Sequence, residues 1–461
     1  MMTDRQNSLK KRYRYLPKDG LNAREAALCI LLSVTEEGEK ANNCLADHLR
    51  ESSLSPKDRA LVTAIVDGTL DYLIRIDHIL SGYSRKPLRF MNAEAKGILR
   101  MSVYQILFLD RIPDSAACNE AVEIAKRRGL GGLSGFINAV LRNLIRDKEK
   151  DPGKFSEFSD EHIRYSVPKW LYKRIVTEFG HDRAEDIFSA WLEKRGLTVR
   201  LNTSLMDEED ILSMLDEDGV SYEKIDMEFL LRNHGIDIPE RFIPHVYKIS
   251  GVFGVTSLSA FQKGLIAVQD PASTLPAAMA CPEEGSTIID VCAAPGGKAL
   301  QLCDLLRGTG LVEARDVSEQ KIGLIKENAD RMGFKNLRIS CADALTPDED
   351  SYYRADIVMA DLPCSGLGIV GRKPDIKLNI KNYSIEELKE LQREMLTLVS
   401  RYVKPHGRLI YSTCTITREE DEDNAVWAAT HLGFKLESSI KILPSKDHDG
   451  FFVAVLRKEF V

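Results

Sequence analysis

The spacing of apolar residues changes once along the chain, and this change predicts two kinds of architecture. Up to about residue 146, apolar positions recur every three or four residues, which is the period of an amphipathic helix. Asn22 is placed to cap the first of these helices, and Pro113 is placed to open a later one. Five or more amphipathic helices with short connections predict an all-α helical bundle.

From about residue 256, short apolar runs alternate with helical patterns instead. The predicted strands are Thr287–Val291, Leu311–Ala314, Leu337–Ser340, Ile357–Ala360, Leu409–Ser412 and Phe451–Leu456. The helical patterns that separate them include Lys298–Leu306, Glu319–Met332, Ile385–Val403 and Glu419–Leu432. This alternation predicts a doubly wound α/β domain with a mainly parallel sheet, whose last strand can run antiparallel.

The stretch between these two parts is less regular. A charged linker over residues 147–160 precedes a helical segment, Lys169–Phe188, a possible strand, Leu197–Leu201, and a helix, Asp207–Leu215. We therefore expect a helical bundle over residues 1–150, a linker with a small α+β module over 151–255, and the α/β domain over 256–461.

Charge and composition narrow the functional classes. Residues 1–150 carry 25 Lys and Arg against 19 Asp and Glu, whereas the remainder carries 38 against 51. A basic front part fits a nucleic-acid surface, although a solvated helical face explains the charge equally well. With no apolar run of 18 residues and a polar, basic start, we expect neither a membrane span nor export. The nine cysteines form no CxxC pair, which argues against a zinc site and fits a reducing cytoplasm.

Two cysteines that follow predicted strands carry the strongest chemical signal. Cys364 stands in Asp-Leu-Pro-Cys-Ser-Gly, and Cys414 closes Tyr-Ser-Thr-Cys fifty residues later. The carboxyl ends of strands in an open α/β sheet meet in one ligand-binding crevice. A cysteine beside an acid in that crevice is a candidate covalent nucleophile, whereas a cysteine taken at random is more often a buried packing residue. Position in the sequence does not rank the two sulfurs.

A turn of small residues follows the first predicted strand and opens a helix. Its residues are Cys292, Ala293, Ala294, Pro295, Gly296, Gly297 and Lys298. Such a turn lets backbone amides approach an anionic ligand, although the dinucleotide motif GxGxxG is absent. Acids also follow the first four strands, namely Asp290, Asp316, Asp343 and Asp361. Any one of them can be an ordinary loop or cap residue, but four in succession favour a cofactor that contains adenosine.

These motifs resemble those of the Sun/Fmu (RsmB-like) family of 16S ribosomal RNA cytosine-C5 methyltransferases. The resemblance rests on DVCAAPGGK (290–298), DLPCSGLG (361–368), RKPDIK (372–377), YSTC (411–414) and DGFF (449–452), with VQDPAS (268–273) before them. In the front part, Asn22-Ala23-Arg24, Asp58-Arg59, Tyr104-Gln105 and the run from Asn138 to Arg142 resemble a NusB-like RNA-binding domain. Essentially the whole chain is covered. Leu362 and Gly371 are mild departures from the family pattern.

The resemblance implies a multidomain fold with a NusB-like helical bundle, a small α+β module and a Rossmann-like methyltransferase domain that depends on S-adenosylmethionine. It implies that Cys414 is the nucleophile, that Cys364 assists product release, and that Asp361 holds the polar edge of the cytosine. Lys298 would neutralise charge nearby, unless it is an exposed helix lysine. The residues that the resemblance assigns to cofactor binding are Cys292, Ala293, Ala294, Pro295, Gly296, Gly297, Lys298, Asp316, Asp343 and Asp361.

The implied partner is 16S ribosomal RNA, and we expect a monomer without a metal or a membrane partner. The target base must be unpaired or flipped out to expose its faces. Arg372, Lys373 and Lys377 could hold phosphates nearby, and the basic residues 10, 11, 12 and 14 could add salt-sensitive affinity, unless both sets are merely solvated. A transfer-RNA or large-subunit target is open within the same chemistry. A catalytically idle RNA-binding or antitermination factor would need neither the cysteines nor the cofactor turn.

Overall fold

The described residues, 22–252 and 254–459 of the computed structural model, form two compact units. One unit takes the chain up to Leu192 together with Val370–Asn379, and the other takes Glu193–Ile369 and the chain from Ile380 onward. The basic residues 10, 11, 12 and 14 lie outside the described residues, so their role in RNA binding stays a prediction.

The first unit is helical, as the sequence predicts. Asn22 caps its first helix, because the side-chain Oδ1 accepts a hydrogen bond from the Glu25 amide at 2.9 Å. The apolar pattern from Leu61 to Ile79 belongs to two helices that meet at Tyr72. The helices of this unit are α1 Ala23–Glu37, α2 Ala41–Glu51, α3 Pro56–Asp71, α4 Leu73–Ser81, α5 Ala93–Phe108, α6 Asp114–Arg127, α7 Gly131–Lys150, α8 Glu161–Arg164, α9 Lys169–Phe179 and α10 His181–Leu192.

The second unit begins with a small antiparallel sheet. Its strands are β1 Leu197–Leu201, β2 Ser221–Lys224, β3 Val246–Ser250 and β4 Ile266–Val268, in the order β2-β3-β1-β4. Its helices are α11 Glu208–Glu217, α12 Met227–Asn233 and α13 Ser259–Gln262. This arrangement is the small α+β module that the sequence predicts, but it extends to Val268, because β4 pairs with β1 beyond the expected boundary at residue 255.

A seven-stranded sheet forms the rest of the second unit, in the order β10-β11-β9-β8-β5-β6-β7. The strands are β5 Thr287–Asp290, β6 Leu311–Asp316, β7 Leu337–Cys341, β8 Ala355–Asp361, β9 Val403–Thr413, β10 Phe434–Ile442 and β11 Phe451–Lys458. Strands β5 to β9 pair in parallel, whereas β10 and β11 pair antiparallel. The Rossmann-like prediction is confirmed, although the sequence pattern missed β10. The helices among these strands are α14 Leu275–Ala280, α15 Gly297–Leu305, α16 Glu319–Met332, α18 Asn382–Val399 and α19 Glu422–His431; the short α17, Ile376–Asn379, belongs to the helical unit.

The strand order reverses direction between β5 and β8, and such a switch point opens a crevice at the carboxyl ends of the strands. Asp290 ends β5 and Asp361 ends β8, so both acids face this edge of the sheet. In residues 22–252 and 254–459, no helix is long and apolar enough to cross a membrane. The same residues contain no cluster of three or more potential metal ligands.

Candidate active site

The two cysteines of the sequence motifs meet at the carboxyl ends of β8 and β9. These strands are parallel neighbours, and Asp361 pairs with Ser412 in their register. Cys364 and Cys414 therefore leave the sheet side by side, and their Sγ atoms lie 3.3 Å apart. Both side chains are partly exposed, which is what a nucleophile that must reach a substrate requires.

The surroundings of Cys364 favour the protonated form of its thiol. The pKa of its thiol is raised well above the usual value by its hydrogen bond with Cys414, by burial, and by the charges of Cys414, Glu420 and Asp361. Either sulfur can donate in the contact between them, so the distance does not rank the two thiols, and the assignment of Cys414 as the nucleophile stays a prediction.

Lys298 and Asp361 form an ion pair beside the sulfurs. The Nζ atom of Lys298 lies 2.8 Å from Oδ2 of Asp361, while Oδ1 accepts a hydrogen bond from Ser412 at 2.9 Å. Burial opposes the charge of Lys298, but Asp361, Asp290 and Cys414 outweigh it and raise the pKa of the ammonium group. Lys298 is thus a nearly buried cation within the site and not an exposed helix lysine.

Asp290 lies in the same charged cluster and is almost fully buried, with 1% of its surface exposed. Burial, and next the charge of Asp361, raise the pKa of its carboxyl to about 7. Its Oδ1 accepts a long hydrogen bond of 3.4 Å from the Cys292 amide, and Oδ2 has no partner among the described residues. A buried polar atom without a partner is rare and marks a place where a ligand can bind.

The turn between β5 and α15 wraps around the carboxylate of Asp316. This carboxylate accepts hydrogen bonds from the amides of Ala294 at 3.0 Å and Val317 at 2.8 Å, and it pairs with Lys321 at 2.9 Å. Gly296 has φ +108°, where a side chain would be strained and its Cβ would lie 3.2 Å from Leu300. The sequence thus places small residues where the chain turns tightly beside a buried acid.

The remaining residues predicted to bind cofactor are placed differently. Asp343 follows β7 and is exposed, and its Oδ1 accepts a hydrogen bond from the Leu345 amide at 2.9 Å. The Cys292 side chain packs partly against the sheet, and burial raises the pKa of its thiol. The Ala293 amide donates to the Arg315 carbonyl at 2.8 Å and so extends the contact between neighbouring strands.

The segment with Arg372, Lys373 and Lys377 belongs to the helical unit. Lys377 is fully buried, and its Nζ donates to the Asp71 carbonyl at 2.7 Å. The expectation that Lys377 contacts phosphate is therefore wrong, because its ammonium group is committed to a backbone carbonyl away from solvent.

Three backbone segments cross tightly behind Cys414. The Gly368 amide donates to the Cys414 carbonyl at 3.0 Å, and the Gly450 amide donates to the Gly368 carbonyl at 2.8 Å. A Cβ on Gly368 would lie 2.1 Å from the Gly450 oxygen. Gly368 is therefore required by close backbone approach, and this crossing supports the loop that bears Cys414.

Three parts of the chain match known protein families. Residues 277–457 match the family described as 16S rRNA methyltransferase RsmB/F, residues 21–146 match the NusB family, and residues 167–228 match the ferredoxin-like domain of RsmF/B-like methyltransferases. The probable ribosomal RNA small subunit methyltransferase B of Bacillus subtilis (strain 168) is 32% identical over 464 residues, which cover 95% of this chain and 99% of that protein. The chain belongs to the ribosomal RNA small subunit methyltransferase B family.

A second relative and a solved structure also match nearly the whole chain. The ribosomal RNA small subunit methyltransferase B of Vibrio vulnificus (strain YJ016) is 31% identical and covers 95% of this chain and 100% of that protein. The crystal structure of PH0851 superposes with a TM-score of 0.76 at 26% identity, covering 96% of this chain and all of that one. The resemblance inferred from the motifs is confirmed.

S-adenosylmethionine is the cofactor of this methyltransferase family, and the site fits it. The unpartnered Oδ2 of Asp290 suits an ammonium group, because a buried carboxylate oxygen needs a donor. Asp316 lies at the end of β6, where nucleotide-binding folds place the acid whose carboxylate accepts hydrogen bonds from the ribose hydroxyls. Which of the predicted residues touch the cofactor stays a prediction.

Sequence reasoning missed the polar network beneath the two cysteines. Glu420 and Gln392 are fully buried and bond to the loop of Cys364, and Asp421 accepts a hydrogen bond from Thr413 at 2.6 Å and pairs with Lys441 at 3.0 Å. A run of acids at the start of the predicted helix Glu419–Leu432 is typical of an ordinary first turn. The only available signal was its position, six residues after Cys414.

Proposed function

We propose that the protein methylates carbon 5 of a cytidine in 16S ribosomal RNA through a covalent adduct between Cys414 and the base. The observation that carries the proposal is the pair of sulfurs 3.3 Å apart, beside the ion pair of Lys298 and Asp361. An idle RNA-binding protein needs neither feature. The names of the relatives support small-subunit ribosomal RNA as the substrate.

The chemistry requires a sulfur nucleophile because carbon 5 of cytosine is a poor nucleophile by itself. The Cys414 thiolate adds to carbon 6, and the displaced electron pair makes carbon 5 nucleophilic. Asp361 accepts a hydrogen bond from the exocyclic amino group, and Lys298 offsets the negative charge that develops on the ring. When bound, S-adenosylmethionine supplies the electrophilic methyl group for carbon 5.

Product release then restores the aromatic ring. The proton on carbon 5 leaves to a solvent base, and the electron pair of that C–H bond re-forms the ring double bond while the carbon–sulfur bond breaks. The electron pair of the broken bond returns to Cys414. The S–H group of Cys364, 3.3 Å away, donates a hydrogen bond to the departing thiolate. Cys364 thus assists release and is not needed for the initial attack.

The two cysteine variants test this division of roles. We expect Cys414→Ala to abolish methyl transfer because no sulfur attacks the base, while S-adenosylmethionine binding is retained. We expect Cys364→Ala to form the adduct but release it slowly, so a covalent protein–RNA species accumulates. Denaturing gel electrophoresis with labelled 16S ribosomal RNA and bisulfite sequencing of the product measure both outcomes.

Cys341→Ala is the matched control, because Cys341 is an exposed cysteine at the end of β7. This variant should methylate RNA as the wild type does. An adduct with Cys414→Ala, and none with Cys364→Ala, would reverse the roles of the two cysteines. The absence of 5-methylcytidine with wild-type protein and cofactor would refute the proposed function.

A further inference from the structure

A buried carboxylate lies beneath both cysteine loops. Glu420 has no exposed surface, although it stands just before α19 and only six residues after Cys414. Its backbone carbonyl also accepts a hydrogen bond from the buried hydroxyl of Tyr411. Burying a carboxylate is unfavourable unless hydrogen-bond donors surround it, so its partners show what it stabilises.

The two carboxylate oxygens of Glu420 accept hydrogen bonds from different loops. Oε1 accepts from the Ser365 amide at 2.8 Å, and Ser365 directly follows Cys364. Oε2 accepts from the Thr417 hydroxyl at 2.8 Å, and Thr417 lies three residues after Cys414. One side chain therefore connects the two loops that carry the sulfurs.

A second buried side chain completes the support of Cys364. The amide nitrogen of Gln392, on α18, donates to Oε1 of Glu420 at 3.1 Å and to the Pro363 carbonyl at 2.9 Å. The backbone is thus held on both sides of Cys364, at Pro363 and at Ser365. The hydroxyls of Ser365 and Thr415, the residues that follow the two cysteines, also lie 2.7 Å apart.

We propose that Glu420 is a positioning residue, which fixes the sulfur of Cys364 against that of Cys414 so that the thiol can assist product release. This inference rests on the proposed function for its consequence in catalysis, but the geometric part does not depend on it. Glu420 does not touch the reacting atoms. Its effect is transmitted through the Ser365 amide and the Thr417 hydroxyl.

Two conservative substitutions at position 420 separate the effect of side-chain length from the effect of charge. Glutamine has the length of glutamate: its oxygen can take the two donors of Oε1, and its amide can donate to the Thr417 hydroxyl. Aspartate keeps the charge but withdraws the carboxylate by one carbon–carbon bond, about 1.5 Å. Positioning therefore predicts that E420Q works and E420D fails, whereas an electrostatic role predicts the reverse.

Turnover on 16S ribosomal RNA is the first measurement. We expect E420D to lower kcat by about a hundredfold, the effect of a displacement of about 1 Å in an active site, with KM for RNA unchanged. E420D should also accumulate the covalent protein–RNA adduct, because methylated product is released slowly. E420Q should stay close to the wild type. Glu390→Asp makes the same chemical change at an exposed position of α18 and should have no effect.

The distance between the sulfurs is tested without any methyl transfer. Diamide, a two-electron thiol oxidant, takes two electrons and two protons from a thiol pair and leaves a disulfide. Wild type and E420Q should form the link between Cys364 and Cys414 rapidly, and E420D should form it much more slowly, as measured by peptide mapping. Thermal unfolding and S-adenosylmethionine affinity report whether each variant is folded.

Three results would overturn the inference. The first is equal turnover of E420D and the wild type. The second is a loss of turnover in E420Q as large as that in E420D. The third is a loss of cofactor affinity in E420D that matches its loss of turnover. If the wild type makes no 5-methylcytidine, the proposed function fails. The diamide rates then still decide whether Glu420 sets the separation of the sulfurs.

Discussion

Asp290 and Asp361 lie near the same ammonium group, that of Lys298. Asp361 pairs with it directly, with Nζ and Oδ2 2.8 Å apart. Asp290 is left buried between a neighbouring carboxylate and the sheet, and its pKa rises to about 7, chiefly through burial. Asp290 therefore binds a proton in the folded protein at a pH where it would be ionised in the unfolded chain.

This proton makes stability depend on pH, and Asp290→Asn tests it. The pKa of the carboxyl is higher in the folded state, so the free energy of unfolding falls as pH rises from about 4 to about 7 and stays low above that range. Asp290→Asn has no carboxyl group at this position, so its free energy of unfolding does not fall in this way as pH rises. We expect the variant to be more stable than the wild type at pH 8, by roughly 3 kcal/mol, with a smaller difference at pH 5.

Urea unfolding at the two pH values measures the difference. Asp343→Asn is the control, because Asp343 is an exposed acid two residues after β7, and this variant should show no such change between pH 5 and pH 8. A stability difference for Asp290→Asn that is the same at both pH values would contradict the assignment. S-adenosylmethionine affinity should fall in Asp290→Asn, because an amide replaces the unpartnered carboxylate oxygen.

At the scale of the element, the sequence predicts the existence of helices and strands better than their ends. The helical period continues across Tyr72 and Gly180, although the chain breaks into separate helices at both points. Gly180 has φ +79°, and the pattern of apolar residues carries no information on that backbone change. Strand β10 was missed because it lies at the sheet edge, where polar residues such as Glu437 and Ser438 interrupt the apolar run.

The crossing at Gly368 supports a prediction at this scale. Gly368→Ala would place Cβ 2.1 Å from the Gly450 oxygen and 2.8 Å from the Cys414 oxygen, and both atoms belong to backbone held by hydrogen bonds. We expect the substitution to destabilise the protein by about 3 kcal/mol and to displace the Cys414 loop, with loss of methyl transfer. Thermal unfolding and turnover measure the two effects.

Gly323→Ala is the control, because Gly323 is exposed within α16 and its Cβ would meet nothing within 4 Å. This variant should gain up to about 1 kcal/mol, since alanine is the better helix former. A Gly368→Ala protein with wild-type stability and turnover would show that the crossing does not matter to the site.

At the scale of the whole molecule, the order of architectures and the meeting of Cys364 and Cys414 at one edge of the sheet were predictable, because both cysteines directly follow strong strand patterns. The hydrogen-bond network that supports the site was not predictable. Glu420 and Gln392 are joined to the cysteine loops by hydrogen bonds between segments that are distant in sequence, and no local pattern encodes such pairings. Lys377 was misplaced for the same reason, since a lysine in a basic motif gives no sign that it is buried.

Lys377 makes the stability of the helical unit depend on pH in the alkaline range. Burial lowers the pKa of its ammonium group to about 8, although the charge of Asp71 opposes the effect. The unfolded chain therefore binds more protons between pH 8 and pH 10, and the free energy of unfolding rises with pH in this window. Relative to Lys377→Met, we expect the wild type to gain roughly 2 kcal/mol from pH 8 to pH 10.

Thermal unfolding of both proteins across this pH range measures the gain. Lys381→Met, at an exposed lysine just outside the segment, should parallel the wild type. If the wild type and Lys377→Met respond to pH identically, the buried lysine does not titrate in this range.

The pairing of β8 with β9 has a consequence for how this chain can vary. Successive side chains of a strand point to opposite faces, so a slip of one position would carry a sulfur away from its partner. Deleting or inserting one amino acid within either strand should thus abolish methyl transfer. The same change in an exposed loop should be tolerated, so natural length variation among relatives is expected to avoid these two strands.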